Sequence, residues 1–158
     1  MSLILTSADF TPGGSIPAVH TCDGTNTSPA LSWSGVPPDT RSLVLIIDDP
    51  DAPDPAAPKM TWVHWVLYNL PPQTNHLPAG VREAELPPGA QAGLNDFKNT
   101  RYGGPCPPVG RHRYVHKLYA LDTVLPDLGH PTKVQLEKAM QGHVKAHAEL
   151  IGTYQRGH

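Results

Sequence analysis

The sequence predicts a mostly β, loop-rich domain with one late helix, and three observations carry that reading. Short apolar runs of strand length recur at 43–47, 62–70 and 114–121, each bounded by turn residues. Nineteen prolines and fourteen glycines in 158 residues interrupt the chain too often for long helices. Their share still falls short of the composition at which disorder becomes the better description. Helical spacing of apolar residues is confined to a segment near the C-terminus. With no internal repeat and no linker, residues 1–158 read as a single domain.

Along the chain, Leu3 and Leu5 alternate briefly before a turn-rich stretch that includes Asp23-Gly24. Leu31–Trp33 reads as a short strand, broken by Pro37-Pro38-Asp39. Leu43–Ile47 is apolar throughout, as in a strand buried on both faces, and the acid- and proline-rich run 49–55 is expected to end it. Trp62–Leu70 follows. Simple alternation puts Trp62, His64, Val66 and Tyr68 on one face, with Val63, Trp65 and Leu67 on the other. Residues 71–101 read mostly as loop because Pro71, Pro72, Pro78, Pro87, Pro88 and Gly89 disrupt every period. The stretch from Gly103 to Gly110 is too rich in Gly and Pro for regular structure and forms a stiff loop leading to a strand from His112 to Leu121. Thr132 can cap a helix extending to about Leu150, with Val134, Leu136, Met140, Val144, His147 and Ile151 near one face and Gly152-Thr153-Tyr154 leaving it extended.

Twelve basic and fourteen acidic side chains give a net charge of −2 with no long run of either sign. Electrostatic binding to nucleic acid or an anionic membrane is therefore not expected. No apolar run approaches the roughly 18 residues of a membrane helix. The start, MSLILTSADF, lacks a basic segment before its apolar residues, so a secretory signal is not expected and the protein is placed in the cytoplasm. In that compartment Cys22 and Cys106 should be free thiols, with Cys106 serving as a packing residue.

Three polar side chains fall at strand ends beside proline-rich loops: Asp49, His64 and His112. If the loops open at the same end of a sandwich, these residues form a small cavity with one carboxylate and two imidazoles. A carboxylate orients an imidazole and raises its basicity, so both histidines are expected to donate to an anion once protonated. The same types can hold a metal, but no ligand pair stands at tight metal spacing, and no cofactor is expected. Cys106 with His112 could make a thiolate and base, yet no cysteine-hydrolase signature or serine elbow accompanies them. The Gly103-Gly104 pair lacks phosphate-loop spacing, which disfavours nucleotide hydrolysis.

The run Asp49-Pro50-Asp51-Ala52-Pro53, then Trp62-x-His64, then Gly103-Gly104-Pro105-Cys106-Pro107-Pro108 leading to His112-Arg113-Tyr114, resembles the phosphatidylethanolamine-binding protein family, which includes the Raf kinase inhibitor proteins. The segment CDGTNTSPALSWSGVP and the final GTYQR are similar to its bacterial branch, so the resemblance spans nearly the whole chain. It implies a two-sheet, Greek-key-like β-sandwich with a small pocket for phosphate-like or carboxylate groups. The matching ligand-binding positions are Asp49, Asp51, His64, His112 and Tyr114, with Trp62 as a wall and Cys106 and Pro107 as the floor. Spacings between these blocks are shorter than in animal members, and no counterpart of the animal C-terminal helix is read after Tyr154, which implies a different rim and a more open site. The resemblance further implies a non-enzymatic, regulatory binding protein for an anionic small molecule or phosphorylated group. Inhibition of a protein kinase or protease through a surface loop is the alternative, a hydrolase or metal enzyme is a remoter one, and a homodimer is compatible with either binding role.

Overall fold

The apolar run at 43–47 lies in the middle of the molecule. In the computed structural model, which describes residues 2–156, it belongs to strand β3 (Ser42–Ala52), the centre of a five-stranded antiparallel sheet. Three shorter strands come from the N-terminal half and the loop region: β1 (Ile4–Thr6), β2 (Leu31–Ser34) and β5 (His76–Leu77) form a sheet in the order β1-β2-β5. The larger sheet runs β6 (Gln91–Ala92), β4 (Met60–Leu70), β3, β7 (His112–Leu121) and β8 (Val144–Tyr154). One face of it packs on the small sheet, where Leu5, Leu31, Trp33, Leu43, Leu45, Ile47, Trp65 and Leu118 meet. On its other face Val44, Ile46, Val66 and Tyr68 meet Leu136 and Met140 of helix α1 (Lys133–Met140). The strand at 43–47 is thus buried on both faces, as its unbroken apolar pattern requires.

Three local features differ from the sequence reading. The helix is capped as expected, with the Thr132 hydroxyl accepting from the Gln135 N–H, but it ends at Met140 rather than near Leu150. Gly142, at φ +82°, turns the chain back, and the rest of the expected helix is β8, paired with β7 along its length. Ala146, Ala148, Leu150 and Tyr154 recur at period two toward the inter-sheet core, and this cross-strand burial outweighs the helical spacing. Second, β3 does not stop at the DPDAP run but carries Asp49, Pro50 and Asp51 inside it, with an irregular register between Asp49 and Ala52 that accommodates the proline.

The third difference lies in β4. Ile47 pairs with Trp65 and Asp48 with Val63, so His64 is the extra residue of a bulge. The bulge resets the alternation. Trp65 and Leu67 join the inter-sheet core, whereas Val63, Val66 and Tyr68 face the helix side. His64 is therefore parted from Val66 and Tyr68 and packs edge-on against Tyr114. Asp48, next to Asp49 in β3, sits on the helix side, where its Oδ2 accepts from Lys117 Nζ at 2.9 Å and Lys133 Nζ at 2.6 Å. These contacts hold the start of α1 to the sheet.

Candidate functional site

At one end of the large sheet, β3, β4 and β7 and the loop 103–110 enclose a cavity of about 290 Å³. Asp49, Trp62, His64, Cys106, Pro107, His112 and Tyr114 all line it, so seven of the eight residues expected at a site are brought together. Asp51 is not among the lining residues. Its carboxylate accepts from the Arg113 backbone N–H at 2.9 Å, and from Arg113 Nε at 3.0 Å and Nη2 at 2.8 Å. That forked charge-assisted pairing holds the Asp51 carboxyl below its usual range. Asp51 braces the end of β3 against β7 rather than facing the cavity.

Asp49 and His112 form a buried pair. His112 Nδ1 lies 2.6 Å from Asp49 Oδ2, and Nε2 lies 2.8 Å from the Val109 carbonyl oxygen. A carbonyl only accepts, so Nε2 carries a proton, and a second proton must lie between Nδ1 and the carboxylate. The pair is neutral as a unit. Burial pushes the Asp49 carboxyl up, opposed by its bonds to His112 and to the Asp51 N–H. Both ring nitrogens of His112 are committed to the protein, so it has no N–H for a ligand, contrary to the expectation of two donating histidines. Asp49→Asn removes the charge but keeps the shape, and should lower stability by about 1–3 kcal/mol. An unchanged denaturation midpoint would contradict the pairing.

His64 is held by the loop. Its Nδ1 donates to the Gly103 carbonyl at 2.6 Å, and the Gly103 N–H donates back to the His64 carbonyl at 3.1 Å. Burial lowers its pKa to about 4, so the neutral ring presents Nε2 as an acceptor. This Nε2 and the Tyr114 hydroxyl are buried and have no hydrogen-bond partner. Tyr114 stacks on His112 at 6.3 Å, and burial raises its phenol. Phe97 closes the side between Trp62 and His64, with ring centroids 5.5 Å and 5.4 Å away.

The loop itself is pinned to the segment around residues 20–26. Cys22 and Cys106 form a disulfide with Cα atoms 5.4 Å apart, which overturns the expectation of two free thiols. The Cys22 N–H donates to the Pro105 carbonyl, the Gly104 N–H to Asn26 Oδ1, and the Tyr102 hydroxyl to the His20 carbonyl. A Cβ on Gly104 would overlap the His20 carbonyl oxygen, which explains why glycine stands there. With Cys106 in a disulfide, the thiolate nucleophile considered for it is absent.

Sequence reasoning missed Phe97, Met60, Ala52, Pro53 and Pro108 among the lining residues. It also missed the Gly103 and Val109 carbonyls, which fix the two imidazoles and have no side-chain signature. A larger cleft, about 610 Å³, borders the site through Phe97 and contains none of the eight expected residues. Among the described residues, no three His, Cys, Asp or Glu side chains are grouped so as to hold a metal ion.

Comparison with known proteins places residues 6–155 within the family model described as phosphatidylethanolamine-binding protein. A UPF0098 protein of Methanothermobacter thermautotrophicus is 50% identical over 149 residues, covering 94% of this chain and 95% of the relative. Among solved structures, a protein of Chlamydia trachomatis described as a phosphatidylethanolamine-binding protein homolog superposes with a TM-score of 0.90 at 44% identity, covering 99% of each chain. Escherichia coli YbcL, described as a new member of the mammalian family, superposes with a TM-score of 0.88 at 33% identity, covering 99% of this chain and all of YbcL.

Proposed function

The chain belongs to the phosphatidylethanolamine-binding protein family, and from that premise we propose that it is a non-catalytic binding protein whose pocket takes a phosphate-like or carboxylate group. The observation that carries this reading is the pair of buried, unpartnered polar atoms carried by two residues that line the cavity, His64 Nε2 and Tyr114 Oη. Leaving such an atom unpaired costs about 1–3 kcal/mol; a phosphate that keeps a proton supplies both missing partners, and a carboxylate supplies only the acceptor for Tyr114 Oη. The neighbouring polar groups are already engaged: Asp49 and His112 with each other, Cys106 in a disulfide. No activated nucleophile is left, and this supports binding over catalysis.

A small pocket with few polar contacts should bind phosphate in the micromolar to millimolar range, roughly −8 to −4 kcal/mol. His64→Ala and Tyr114→Phe should each weaken calorimetrically measured phosphate binding by about 1–3 kcal/mol, roughly 5- to 150-fold. Binding by both variants at the parent's affinity would refute the assignment. On location, no helix among the described residues is long and apolar enough to cross a membrane. The disulfide weighs against the cytoplasmic placement, since such bonds persist mainly in oxidising compartments.

A further inference from the structure

Resting on that reading of the pocket, we infer that it selects anions that carry a proton, such as a phosphomonoester monoanion, over fully deprotonated anions of the same shape and charge, with His64 as the specificity-determining residue. The donors and acceptors left open in the pocket set this preference. His64 Nδ1 faces the Gly103 carbonyl, which can only accept, so the ring proton is on Nδ1 and Nε2 offers a lone pair. The Tyr114 hydroxyl is the other unpartnered group and can donate. A ligand that satisfies both atoms must present one hydrogen-bond donor and one acceptor.

A phosphate monoester carrying one proton presents that set: its P–OH donates to His64 Nε2, and a neighbouring oxygen accepts from Tyr114 Oη. A sulfate monoester has the same tetrahedral shape and a charge of −1 but no proton, so its oxygen would meet the His64 lone pair. Charge does not compensate for this mismatch. No Lys or Arg lines the cavity, Asp49 and His112 are neutral as a unit, and Arg113 is taken by Asp51. The titratable groups around His64 are Asp48 and Asp49 on β3 and His112, Tyr114 and His116 on β7. Asp48 is matched by Lys117 and Lys133, and the His116 Nδ1 faces the Tyr114 and Leu150 carbonyls.

The test compares methyl phosphate with methyl sulfate, titrated into the intact, oxidised protein. At pH 5 both ligands carry one negative charge, because the second proton of a phosphate monoester leaves near pH 6. Methyl phosphate should bind at least tenfold tighter. Above pH 6 its affinity should fall by up to tenfold per unit, while the weaker methyl sulfate binding should not follow that slope. In nitrogen NMR of the methyl phosphate complex, His64 Nε2 should keep the signature of an unprotonated acceptor. His64→Gln offers an amide that both donates and accepts, and should bring the two affinities close together. Equal binding of the two ligands at pH 5, or an imidazolium at His64 in the complex, would overturn the selectivity while leaving the anion pocket standing. Failure of both ligands to bind would overturn the pocket as well.

Discussion

Acidification from pH 6.5 to 4 should destabilise the fold by several kcal/mol, because two buried rings resist protonation. His64 and His116 are almost wholly enclosed, and burial lowers each pKa from about 6.5 to about 4. The His116 Nδ1 proton is shared between the Tyr114 and Leu150 carbonyls, and Phe10 lies against the ring, with centroids 5.2 Å apart. Between these limits the unfolded chain binds a proton on each ring that the folded chain does not, so stability falls as pH falls. It is fully present above about pH 6.5 and is lost progressively down to about pH 4. At about 1.4 kcal/mol per pH unit, each ring accounts for roughly 3 kcal/mol. Asp49, whose carboxyl is raised by burial, acts with the opposite sign in the carboxylate range and offsets part of this loss at the acid end. Urea denaturation at successive pH values measures the slope; a midpoint that stays constant from 6.5 to 4.5 would show that these rings are not held neutral.

Reduction of the Cys22–Cys106 bond should have an effect nearly as large. The bond spans 84 residues, and closing a loop of that size in the unfolded chain corresponds to roughly 4–5 kcal/mol on the chain-entropy model. The loss should reach the pocket too. Between Gly103 and Val109 the loop supplies the carbonyls that orient His64 and His112, together with the wall formed by Cys106, Pro107 and Pro108. A Cys22→Ser, Cys106→Ser double variant should therefore unfold at much lower denaturant and bind phosphate more weakly. Thiol titration of denatured protein, alkylated before any reductant is added, should find no free cysteine. Two titratable thiols and an unchanged denaturation midpoint in the variant would contradict this role.

Much of the fold was legible because its central strands have extreme composition. Leu43–Ile47 could only be a strand covered on both sides, and the Gly- and Pro-rich stretch from Gly103 to Gly110 could only be a loop. The C-terminal segment misled because Leu136 and Met140 do lie on a helix, while the apolar residues after Gly142 fit a helical face as well as they fit alternation. Pairing with β7 decides between the two, and a long-range partner is invisible to local spacing. The bulge at His64 was illegible for the same reason, since it exists only in register with β3.

The candidate site was legible in its side chains, through the resemblance of three separated blocks to one family. Its polarity was not. Whether a histidine donates or accepts depends on which backbone carbonyl it meets, and neither Gly103 nor Val109 announces that role. Asp51 matched the motif yet turned to Arg113, its neighbour across the strands. The disulfide was discounted from an assumed reducing compartment, although the two cysteines come together through the fold.

A crystal structure of the oxidised protein soaked in phosphate shows whether His64 and Tyr114 together hold the anion. One ordered phosphate is expected in the cavity between β3, β4 and β7, with oxygens within hydrogen-bond distance of both His64 Nε2 and Tyr114 Oη and with the Asp49–His112 contact retained. Phosphate ordered in the larger cleft beyond Phe97, with His64 and Tyr114 still unpartnered, would contradict it.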